Sequence, residues 1–88
     1  MIFCIQGRAS EAPKPPQTKA QRRNFVVCID SDHPRTAQEE AEKALEAIDC
    51  SFITVTRILE VRGETRDPAL AKIVDEARRN GLGLAIYR

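Results

Sequence analysis

Apolar and polar positions along this chain alternate between two periods. Continuous or alternating apolar stretches of strand length occur at residues 2–5, 25–29, 52–62 and 82–86, and between the last three of them lie segments with an apolar residue every third or fourth position. The order predicted over residues 24–88 is therefore strand-helix-strand-helix-strand, preceded by a short strand over residues 1–6.

Each helix carries its own start signal. Thr36, Ala37, Gln38 and Glu39 form a capping-box pattern. Ala37, Ala41, Ala44, Leu45 and Ile48 then fall on one face, with Glu39, Glu40, Glu42, Lys43 and Glu46 outside it. Asp67 suits an N-cap and Pro68 a first helical residue, because proline lacks an amide that has no partner there anyway. Leu70, Ile73, Val74 and Ala77 stripe the second helix, and Asn80 with Gly81 ends it.

The strands are less uniform. Phe25, Val26, Val27, Cys28 and Ile29 are apolar without a break, as in a strand covered on both faces or central in a sheet. Over residues 52–62 Ile53, Val55, Leu59 and Val61 share one face, but Arg57 falls on that face and Ile58 off it. A β-bulge near Arg57, or a split into two short strands, restores the alternation. Leu82, Leu84 and Ile86 form the apolar face of the closing strand.

Residues 7–24 break the pattern. Gly7 closes the first apolar run, and Pro13, Pro15 and Pro16 withhold the amides that helices and sheet ladders need. This reads as an extended basic loop or linker, with Arg8, Lys14, Lys19, Arg22 and Arg23 against Glu11.

Together these elements predict a single α+β domain: a two-layer sandwich with both amphipathic helices on one face of a four- or five-stranded mixed sheet. Should residues 52–62 form two strands, the order resembles the split βαβ of ferredoxin-like domains. That resemblance is topological, covers residues 24–88 at most, and brings no functional residue with it.

Composition narrows the class. At 88 residues, 42% hydrophobic and 31% charged, the chain has a globular makeup, and a formal net charge of +1 gives no long-range field toward nucleic acid or membrane. No apolar run reaches the length of a signal-peptide core or a bilayer span, so a cytoplasmic protein with no membrane partner is expected. Cys4, Cys28 and Cys50 lack a C-x-x-C pair and read as reduced, buried thiols, unless folding brings two of them together.

Candidate chemistry is sparse. Asp30, Asp32 and His33 stand just after a strand and before a helix, where α/β sheets gather ligands, although these residue types also build ordinary turns. Arg62 and Arg66 precede the second helix and suit an anion, in a segment where Arg57, Arg62 and Arg66 alternate with Glu60 and Glu64. Lys19, Arg22 and Arg23 form a candidate nucleic-acid contact, but no aromatic residue accompanies them in the basic segment. No phosphate loop, nucleophile-base pair or metal-ligand motif is present, so no catalytic residue, metal or cofactor is assigned.

The acidic first helix and the basic segment suggest self-association. The reading that follows is a non-catalytic module, working as a homodimer and binding a protein or a small anionic ligand. An enzyme built on the Asp30, Asp32 and His33 turn ranks second, and weak nucleic-acid binding through residues 8–23 third.

Overall fold

Strands β1 (Ile2–Glu11) and β2 (Gln21–Asp30) pair antiparallel along their whole length, from Ile2 opposite Asp30 to Glu11 opposite Gln21, in a computed structural model that describes residues 1–87. Both strands reach well into the segment expected to be a loop. Arg8, Arg22 and Arg23 are strand residues, and only residues 12–20, which hold all three prolines, connect the hairpin. Gly7 does not end β1 but lies within it. The remaining elements are α1 (Pro34–Ala47), β3 (Cys50–Val61), α2 (Pro68–Asn80) and β4 (Leu82–Tyr87). Arg88, the last residue of the expected core, lies outside the described residues.

The α+β class, the four strands and the two amphipathic helices are as the periodicity predicts. Strand order is β3-β1-β2-β4, and every neighbouring pair is antiparallel. The sheet is not mixed, because β2 and β3, which run the same way, are kept apart by β1. β3 is one strand, so the element order is ββαβαβ and not that of the split βαβ.

The layering also differs from expectation, since the helices take opposite faces of the sheet. α1 places Ala37, Ala41 and Leu45 against Phe3, Ile5, Ala9, Phe25, Val27 and Ile29. α2 places Ile73, Val74 and Ala77 against Ile2, Cys4, Val26 and Cys28. The unbroken apolar runs of β1 and β2 require this, because alternate residues face opposite sides and both sets must leave water.

The slip expected at Arg57 is a bulge. Gln6 pairs with Arg57 but Gly7 pairs with Val55, so Thr56 is the extra residue, and a second irregularity follows between Arg8 and Ser10. The bulge moves the apolar side chains from one face to the other. Ile53, Val55 and Ile58 join the α1 core and Val61 the α2 core.

Helix α1 begins two residues before the expected capping box. His33 is the N-cap, its Nδ1 accepting from the Arg35 amide at 3.1 Å, with Pro34 in the first turn. α2 starts as predicted, the Asp67 carboxylate accepting from the Ala69 amide at 2.9 Å, and ends at Gly81 with φ 88°. No helix among the described residues is long and apolar enough to cross a membrane.

The thiols are also corrected. Cys4 and Cys28 face each other across β1 and β2 and form a disulfide, whereas Cys50, buried beneath α1, is not disulfide-bonded. Their 24-residue separation gave no local signal of pairing.

Candidate anion-binding face

The two helices cover their faces unequally. α1 leaves the end of β2 and returns to the start of β3, so it runs along the strands. α2 enters from Val61, opposite Ile2 at one edge, and leaves through Gly81, whose carbonyl accepts from the Asp30 amide. It packs over β4, β2 and β1, above Ile2, Cys4, Val26 and Cys28. Farther along the strands on this face Arg8, Arg22, Asn24, Thr54, Arg57 and Tyr87 are exposed.

Strand register identifies the residues on the open half. One cross-strand row contains Thr54, Arg8, Asn24 and Tyr87, and flanking rows add Arg57 with Gln6 and Ser10 with Arg22. No carboxylate belongs to these rows. Glu11 has the opposite parity and lies beside Arg23, its Oε1 3.7 Å from the arginine Nε.

The three arginines are held differently. Arg22 donates to the Phe52 carbonyl, to Ser10 Oγ at 3.3 Å and to Thr54 Oγ1 at 3.4 Å, so its guanidinium leans across β1 onto β3. All three acceptors are neutral, which orients the head without cancelling its charge. Arg8 and Arg57 are exposed and make no hydrogen bond or ion pair among the described residues. Positive charge thus gathers around Thr54, on the β1 and β3 side. On the β4 side stands Tyr87, 46% exposed, above a groove of about 310 Å³ lined also by Arg8, Arg22, Arg23 and Asn24. Guanidinium forks over a half-covered sheet suit phosphate or carboxylate oxygens.

The residues singled out from sequence do not form one site. Asp30 is exposed and bonded to the Met1 ammonium at 3.2 Å, His33 caps α1, and Asp32 is exposed in the turn between them. Arg62 pairs with Glu60 beyond the end of β3, and Arg66 is exposed in the next loop. β1 stands between these two groups, and no hydrogen bond or ion pair joins them among the described residues. The groove of about 300 Å³ beside the Arg66 loop is lined by Glu64, Thr65, Ala71, Val74, Asp75 and Arg78, and its two carboxylates oppose an anion. Among the described residues no three His, Cys, Asp or Glu side chains gather in a way that could hold a metal ion.

Of the candidate nucleic-acid contacts, Arg22 lies on the open half. Arg23, the next residue of the same strand, points to the other side, and Lys19 is exposed in the hairpin loop. Arg8, Thr54, Arg57 and Tyr87 were not legible as a group, because only the register of four strands brings them together. The one available signal was Arg57, the charged residue standing where the alternation called for an apolar one.

No protein-family model, curated protein or solved structure matches this chain.

Proposed function

We propose that this protein is a non-catalytic binding domain whose working surface is the open half of the sheet and whose ligand is anionic. The observation that carries this reading is the arginine set Arg8, Arg22 and Arg57, which shares one face with no carboxylate in its rows. Arginine on a solvated surface is ordinarily self-paired, and an unpaired set repels itself, so an external anion is the partner that relieves it.

The test is to titrate heparin into labelled protein at low salt and follow the amide shifts. Shifts centred on Arg8, Asn24, Thr54 and Arg57, weakening with added salt, support the reading. Shifts confined to the loop around Arg62 and Arg66, or none, overturn it.

A second reading keeps the self-association expected from sequence. Glu39, Glu40 and Glu46 are exposed on the outer surface of α1, on the opposite side of the sheet from the arginines, so the two charge sets do not neutralise each other within one chain. A head-to-tail contact between copies brings them together, and sedimentation at low and high salt measures it. The compartment turns on Cys4 and Cys28: the cytoplasmic setting expected from sequence goes with free thiols, an oxidising one with the bond.

A further inference from the structure

The open half of the sheet is divided lengthwise, and that division specifies the anion more closely. On the β1 and β3 side lie Arg8, Arg57 and the guanidinium of Arg22, which is fixed against Thr54 and the Phe52 carbonyl. On the β4 side lies Tyr87, 46% exposed. Arg8 and Tyr87 share one row with Asn24 between them, which puts their Cα atoms two strand spacings apart, about 10 Å.

A uniformly charged polyanion has no use for the aromatic side, and a carboxylate ligand none for the arrangement in parallel strips. A nucleotide uses both: its phosphate meets the arginines while its base lies on the tyrosine ring, and Asn24 between them offers an amide donor and acceptor. Resting on the anion-binding reading above, we infer that the ligand is single-stranded nucleic acid. Its backbone runs along the arginine side, parallel to the strands, and a base is placed on Tyr87.

A duplex is excluded by the same geometry. Its bases are stacked on each other and not offered to a lone ring, whereas an unpaired strand can splay one out. Three charged contacts at about 0.7 ions released each give a slope near −2 for log affinity against log salt.

The experiment is fluorescence anisotropy with a labelled oligothymidylate, against a duplex of equal length, thymidine monophosphate and inorganic tripolyphosphate. Expected are tighter binding to the single strand than to the duplex or the mononucleotide, and a salt slope near −2 that falls by about 0.7 in Arg8→Ala. Tyr87→Ala is expected to weaken the oligonucleotide roughly ten-fold while leaving tripolyphosphate unchanged, and Tyr87→Phe to retain binding. Equal affinity for duplex or mononucleotide, or indifference to Tyr87→Ala, overturns this inference and leaves the anion reading standing. Loss of both oligonucleotide and tripolyphosphate binding at low salt overturns the two together.

Discussion

Cys4 and Cys28 are directly opposed on adjacent antiparallel strands, with Cα atoms 4.2 Å apart, and their disulfide lies under α2 at the covered end of the sheet. The bond closes a chain segment of 24 residues, for which loop-closure entropy gives about 3.5 kcal/mol of stabilisation. Reduction should lower the melting temperature by upwards of 10 °C, roughly, for a domain of this size. Thiol titration of the unfolded protein checks the premise: one reactive thiol before reduction and three after it are expected, whereas three from the outset would remove the bond from the account.

Two glycines are required by close approach of the backbone. A Cβ on Gly7 would lie 2.0 Å from the Thr54 carbonyl oxygen at the bulge, and one on Gly83 would lie 2.1 Å from the Ile73 carbonyl oxygen of α2. Gly7→Ala and Gly83→Ala should each cost about 1–3 kcal/mol in urea unfolding, through displaced backbone. An unchanged midpoint for either would show that the backbones do not pass as closely as described.

The division of the core between two faces makes a thermodynamic prediction. Leu45 is fully buried under α1 and Ile73 is 5% exposed under α2, with the sheet between them. Leu45→Ala should cost about 2–5 kcal/mol and Ile73→Val about 0.5–1.5 kcal/mol. Because the two share no neighbours, the double variant should be additive within about 0.5 kcal/mol, and a larger coupling would place both helices over one core.

On the open face, stability and binding should separate. Arg8→Ala and Arg57→Ala remove exposed side chains without partners among the described residues, so unfolding midpoints should stay within about 0.5 kcal/mol while anion affinity falls. Arg22→Ala deletes three hydrogen bonds to β1 and β3 and should cost about 1 kcal/mol as well as affinity. Paired urea melts and anisotropy titrations would distinguish this pattern from a purely structural role for all three.

Local features were the legible ones. Asp67 and Pro68 marked the start of α2, the helix stripes named Ala37, Ala41, Leu45, Ile73, Val74 and Ala77, and the misplaced Arg57 marked the bulge. The unbroken run from Phe25 to Ile29 already asked for cover on both faces. That signal was outweighed by the amphipathic helices, each of which is compatible with either face. Pro13, Pro15 and Pro16 drew attention to their whole segment, although a proline disrupts only its own part of a ladder, and the hairpin resumes on either side of them. The site was least visible. Arg8 and Tyr87 are 79 positions apart in sequence (87 less 8), and the row they share depends on β1 pairing with β2 and β2 with β4.

The packing of α2 over one end of the sheet has a lasting consequence. The strands β1 and β2 are anchored at that end by the buried side chains and the disulfide, while Arg8, Asn24 and Arg22 stay exposed at the other. Substitutions of exposed residues that have no partner among the described residues, such as Arg8, therefore carry little penalty to folding. The exposed end is thus free to vary in sequence while the anchored end stays the same.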